Sequence, residues 1–147
     1  MKISLLICIF GFVMPLLTAC ASASGPFKPG PLRKCPDSPN CVSSADDRST
    51  HQVAPLTYQG DWLSARQRLE KLLGQIPRTQ VKEVNERYLR AECRSRIFGF
   101  VDDLEFYFDP AQPLIQVRSA SRTGYSDLGV NRKRVEMIRR MWEKVKG

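Results

Sequence analysis

The chain has 147 residues and a formal charge of +8. Behind its first 20 residues it is long enough for one domain with a single core and too short for two. It holds no internal repeat, no GxSxG, no glycine-rich phosphate loop and no common zinc spacing, so the usual sequence signatures of these chemistries are missing.

The chain opens with Lys2 and the apolar run "ISLLICIFGFVMPLL". That run is too short and wrongly flanked for a transmembrane helix and reads as a signal. "LTAC", residues 17–20, then matches a bacterial lipobox. Small side chains let a peptidase grip extended backbone, and the cysteine thiolate takes the diacylglyceryl chain. Residues 1–19 are thus expected to be a lipoprotein signal peptide and Cys20 the lipidation site. Acyl chains hold at ~0.8 kcal/mol per buried CH₂, so two or three anchor firmly where one does not. The protein is expected in the bacterial envelope, lipid-anchored and facing the periplasm, and Ala21 favours the outer membrane. That address excludes nucleic acid as a partner. "ASASGPFKPGPLRK" has no period and reads as a tether, giving an acylated cysteine and flexible segment over 20–34 and a domain over 35–147.

Outside the cytoplasm thiols oxidise. Cys35 and Cys41 lie six apart in "CPDSPNC", and the two prolines pre-bend the chain, so a disulfide between them is expected. Cys93 is then the odd thiol. Cys35, Cys41 and His51 match no zinc motif, so no metal and no cofactor are expected, and His51 reads as a loop residue rather than a base.

"HQVAPLTYQ" reads as a short strand. Asp61 is a plausible N-cap for a helix in which Trp62, Ala65, Leu69, Leu72, Leu73 and Ile76 form a core stripe, ended by Pro77. "TQVKEVNE", "YLRAECRSR", "VDDLEFYF" and "LIQVRSASR" read as strands. A tight turn centred on Phe98-Gly99 would set Leu89 opposite Phe108, Ala91 opposite Phe106 and Cys93 opposite Leu104. Cys93 is then a buried structural thiol. In the next pair Ile115 and Val117 oppose Phe108 and Phe106. Arg94–Asp103 and Glu105–Arg118 become cross-strand ion pairs. Asp127 could cap a last helix whose buried stripe is Val135, Ile138, Trp142 and Val145. The fold expected is α+β: an antiparallel β-sheet of about four to five strands packed by an N-terminal and a C-terminal helix, in a single domain.

"CPDSPNCVSS", "YLRAECRSRIFGFVDDLEFYF" and "IQVRSASRTGYSDLGVNRKRVE" together resemble the bacterial family called domain of unknown function 1499, over about residues 35–138. The resemblance implies an envelope or membrane-associated protein. It brings no established activity, ligand or catalytic residue, so no residue role is carried over.

The inner face turns polar toward the Phe98-Gly99 end. Ser95, Asp102 and Ser121 are expected to line up across three strands, and the helix phase turns Asn131 toward them. Arg96, Arg122 and Tyr125 would lie close by. With Asp127 these residues are the candidate ligand site, or else a hydrogen-bonded seam that locks helix to sheet. The last 16 residues carry seven Lys or Arg and two Glu. Arg132, Lys133, Arg139, Arg140 and Lys144 lie off the apolar stripe, where they would aid attraction to anionic lipid or an acidic envelope polymer rather than folding. A non-catalytic binding or scaffold module is the function expected, because nothing is placed to take a serine proton. The alternative is an envelope enzyme, or a carrier of a lipid or small molecule, using the seam around Asp102 and Ser121.

Overall fold

The computed structural model describes residues 32–145. The expected signal peptide, Cys20 and the tether up to residue 31 lie outside the described residues. Leu32 is buried, and Lys34 Nζ lies 3.8 Å from Asp47.

In chain order the elements are β1 (Cys41–Ser43), β2 (Leu56–Thr57), α1 (Trp62–Gly74), β3 (Thr79–Val84), β4 (Tyr88–Arg94), β5 (Val101–Phe108), β6 (Leu114–Ser121) and α2 (Val130–Trp142). All six strands join one antiparallel sheet in the order β1-β6-β5-β4-β3. β2 also pairs with β6, so two short strands divide one edge of β6 between them. Cys41 to Ser43 match its C-terminal half, and Leu56 and Thr57 its start. This is the α+β domain the sequence predicts. β1 is an addition, and the strand expected over "HQVAPLTYQ" shrinks to two residues.

Asp61 starts α1 as predicted: its backbone is extended, and its carboxylate accepts a hydrogen bond from Ser64 N at 2.9 Å. Ala65, Leu69, Leu72 and Leu73 are buried. α1 lies against β3 and β4, while α2 lies against β6 and β1, both helices on one face of the sheet. That face supplies Leu89, Ala91, Leu104, Phe106, Phe108, Ile115 and Val117, none of them exposed. Val135, Ile138 and Trp142 of α2 close over them, and Trp142 Nε1 donates to Thr57 O at 2.7 Å. A buried indole N–H needs such an acceptor. The stripe stops there, since Val145 is exposed.

The register of β4 on β5 corrects the sequence expectation by two residues. Leu89 faces Phe106, Ala91 faces Leu104 and Cys93 faces Asp102. The turn is not a two-residue one. Ser95 N donates to Phe100 O, and Phe100 N to Ser95 Oγ, which leaves a four-residue loop with Gly99 in the left-handed region. A slip of two keeps every side chain on its face, so the core reading survives the error. The register of β5 on β6 is as expected, with Phe108 opposite Ile115 and Phe106 opposite Val117.

Cys35 and Cys41 form the predicted disulfide, and Cys93 is free and buried. Burial pushes the Cys93 thiol up from its ordinary pKa, which suits an inert core residue. His51 is also buried, with Nδ1 2.9 Å from Cys41 O.

The other sheet face is a ladder of charges. Arg118 pairs with Glu105 as predicted, and Tyr88 donates to the same carboxylate. The expected Arg94–Asp103 pair is replaced by Arg90 and Arg122 on Asp103, at 3.1 and 2.8 Å, because Arg94 sits opposite Val101 instead.

Candidate functional site

Asp102 begins the polar patch on the inner face. It follows Val101 at the start of β5, where the strand alternation turns its carboxylate inward, and it is buried. A buried carboxylate requires a partner. Arg134 of α2 supplies it, with Nη2 2.6 Å from Asp102 Oδ2. The Arg134 Nη1 donates to Asn131 Oδ1 at 2.6 Å and to Ser119 Oγ at 3.1 Å. Asn131 is fully buried and central. Its Oδ1 also accepts from Ser119 Oγ at 2.5 Å, and its Nδ2 donates to Ser121 Oγ and to Asn40 O, both at 3.1 Å. Asn40 Nδ2 in turn reaches Gly124 O at 2.5 Å. Sheet, disulfide loop and α2 thus meet in one network.

Of the residues picked from sequence, Asp102, Ser121 and Asn131 come together here, and Asp102 lies opposite Ser121. Gly129, not Asp127, holds the N-cap position of α2, but Asp127 two residues earlier receives Asn131 N at 2.7 Å and Gly129 N at 2.9 Å and so satisfies one free N–H of the first turn. Ser95 does not join, because the corrected register carries it beyond Asp102 into the hairpin loop, where its hydroxyl accepts Phe100 N. Arg96 is exposed in that loop. Arg122 points to the opposite face, bound to Asp103 and Glu92. Tyr125 is exposed, on the loop before α2. The sequence reading missed Arg134 and Asn40. Arg134 lies three residues after Asn131, the spacing that puts two side chains on one helix face, and a buried aspartate calls for a cation. Asn40 is joined to Asn131 across 91 positions and gave no local signal.

Beside the network runs a cleft of about 380 Å³. Ile76, Thr79, Cys93 and Met137 line it, with Arg78, Arg94, Lys133 and Arg134 among its walls. Arg94 reaches Glu92 at 3.6 Å and Arg134 holds Asp102. Arg78 and Lys133 are exposed and make no ion pair among the described residues. The basic face expected on α2 is partly redirected. Arg132 donates to Thr50 O and Gln52 O, both at 2.8 Å, while Arg139 donates to Ala54 O and Pro55 O. Both therefore hold the loop before β2 onto the helix. This corrects the expectation that they serve the surface rather than the fold, since loop carbonyls brought close to α2 need donors.

A family model described as "Protein of unknown function (DUF1499)" matches residues 31–141, most of the chain. The chain belongs to the DUF1499 family. No curated protein and no solved structure matches it.

In this DUF1499 protein the hydroxyls of Ser119 and Ser121 face an amide rather than a base. No group of three or more His, Cys, Asp or Glu among the described residues is placed to hold a metal ion. No described helix is long and apolar enough to cross a membrane. The network ties strands to α2, and the adjoining cleft offers cations over an apolar floor, an arrangement that suits a bound anion with an apolar body.

Proposed function

We propose that this DUF1499 protein is a lipid-anchored component of the bacterial envelope, facing the periplasm, and that its domain is a non-catalytic binding module for an anionic group. Lys2, the apolar run and "LTAC" support the anchor at Cys20, and Ala21 favours the outer membrane. The observation that carries the binding role is the cation excess of the cleft, where Arg78 and Lys133 make no ion pair among the described residues and stand beside Arg94 and Arg134. Against catalysis stands the buried His51, whose Nδ1 lies 2.9 Å from the backbone carbonyl of Cys41 and bonds no serine hydroxyl among the described residues. The anionic lipid of the envelope or an acidic envelope polymer fits such a cleft.

Two measurements test this reading. Cell fractionation with Cys20→Ala tests the anchor: wild type in the membrane fraction carrying an acylated N-terminal peptide supports it, and an unmodified, soluble wild type refutes it. Thermal shift of the full chain against inorganic phosphate and short-chain phosphatidylglycerol tests the cleft. Stabilisation that disappears in Arg78→Glu/Lys133→Glu is expected, and an unaltered response in that variant rules the cleft out.

A further inference from the structure

Six of the nine large hydrophobic residues that stand exposed among the described residues fall in two short segments. Ile97, Phe98 and Phe100 crown the loop between β4 and β5, with Ile97 83% and Phe98 74% exposed. Tyr125, Leu128 and Val130 line the approach to α2, with Leu128 86% exposed. The other three, Leu63, Val84 and Val145, are scattered and need no explanation. The two segments lie at one end of the sheet. Arg122 N, just after β6, donates to Val101 O at the start of β5, and Val130 shares the cleft with Arg94 at the end of β4. The hairpin is also firmly built, closed by Ser95 and Phe100 and with the Phe98 and Phe100 rings 5.6 Å apart. Four-residue hairpin loops do not require aromatic tips, and exposing these rings to water is unfavourable.

Most charges around this end that make no ion pair are positive; the exception is Asp127, whose carboxylate is held by the backbone N–H groups of Gly129 and Asn131. Arg96 lies within the loop, and Arg78 and Lys133 flank the cleft behind it. None of the three makes an ion pair among the described residues. Glu92 and Asp103 are matched by Arg122, and Asp102 by Arg134. Aromatic and aliphatic tips rimmed by arginine and lysine are the composition of surfaces that lie in the headgroup boundary of an anionic bilayer.

We propose that this end of the domain, led by Ile97, Phe98 and Phe100 with Leu128 beside them, inserts shallowly into an anionic lipid bilayer. The contact is separate from the anchor at Cys20, though it rests on the same envelope address. Its occupant is chosen by charge complementarity and by reach. The 11 residues 21–31 extend to at most roughly 40 Å. A domain of this size is roughly 35 Å across, so a chain fixed at Cys20 lets either end of the domain meet the membrane. The apolar rings enter the acyl boundary, and Arg96, Arg78 and Lys133 lie at the level of the phosphates. The cleft then opens toward the layer that holds anionic headgroups.

The test uses the full chain reconstituted in vesicles of phosphatidylcholine with phosphatidylglycerol, a share of the lipid carrying brominated acyl chains. Phe98→Trp places a reporter on the tip, and Leu63→Trp, on exposed α1, is its control. Emission added by Phe98→Trp should shift to the blue and lose intensity to bromine, whereas that added by Leu63→Trp should do neither. Arg96→Glu/Lys133→Glu in the Phe98→Trp background should lose that quenching in anionic vesicles. Quenching at neither position overturns the proposal, as does equal quenching at both. So does retained quenching in the charge variant, or a tip protected only when other envelope proteins are added. Mass measurement of the N-terminal peptide in the same samples reports acylation of Cys20. An acylated chain with an unquenched tip removes this proposal alone, and a quenched tip without acylation removes the anchor alone.

Discussion

Replacing Asp102 by alanine tests whether the buried network joins α2 to the sheet. The side chains of Asp102 and Arg134 are 7% and 12% exposed, and their contact is 2.6 Å. Removing one partner of a buried pair costs about 3–5 kcal/mol, because a charge is left without compensation. Arg134 retains Ser119 and Asn131 as acceptors and borders the cleft, which lowers the penalty. The loss expected is therefore about 2–4 kcal/mol. For a domain of this size that is a fall in Tm of roughly 10–20 °C. Urea titration of Asp102→Ala measures it directly. The paired change Asp102→Leu/Arg134→Met should recover most of the loss, since apolar replacements leave no unmatched charge. A loss below about 1 kcal/mol for Asp102→Ala refutes the structural account. A gain in stability would instead assign these polar groups to a ligand, since binding sites often retain them at the expense of stability.

Arg132→Ala/Arg139→Ala should loosen the loop before β2 from α2 and lower stability by about 1–3 kcal/mol, the range for buried or partly buried acceptors losing charged donors; limited proteolysis should cut first within residues 44–55, and an unaltered cleavage pattern would contradict the docking role. Acid should also unfold the domain. Arg122 holds Glu92 below the usual carboxylate range; burial pushes Asp103 up, but Arg122 and Arg90 outweigh it, and Asp46 is held low by Arg48. Carboxylates depressed in the folded state contribute stability in full above their unfolded values near ~4, and lose it as pH falls through the folded values. The urea midpoint should thus be level from about pH 7 to 5 and drop below about pH 4, and Asp103→Asn should flatten that drop.

The alternating pattern of β4, β5 and β6 made the core legible, because strand period fixes which side chain faces inward whatever the pairing. The pairing of β4 with β5 was not legible. It depends on loop length, and Gly99 is compatible with both a two-residue and a four-residue turn. That ambiguity moved Ser95 out of the site while leaving Asp102 opposite Ser121. β1 is three residues long and carries no period, so pairing with β6 rather than local preference makes it a strand. Asn131 could be read from the helix phase. Arg134 was hidden by its charge, which suggested solvent, although the aspartate it meets had already been placed inside. The donors of Arg132 and Arg139 were invisible for a different reason: their acceptors are backbone carbonyls of a loop whose path no side-chain pattern reveals.

The two borders of the sheet are treated unequally. β6 is shielded by two short pieces of its own chain, whereas β3 is the last strand on the other side, with an irregularity between Val81 and Glu83. Lys82 sits at that irregularity, and β3 alternates half-buried with exposed positions. A kinked, charged border is a poor template for a neighbour's strand. Molecules crowded side by side on a surface meet at high local concentration, where strand-to-strand addition would otherwise grow into polymers. β3 is therefore a poor edge for such strand-to-strand growth.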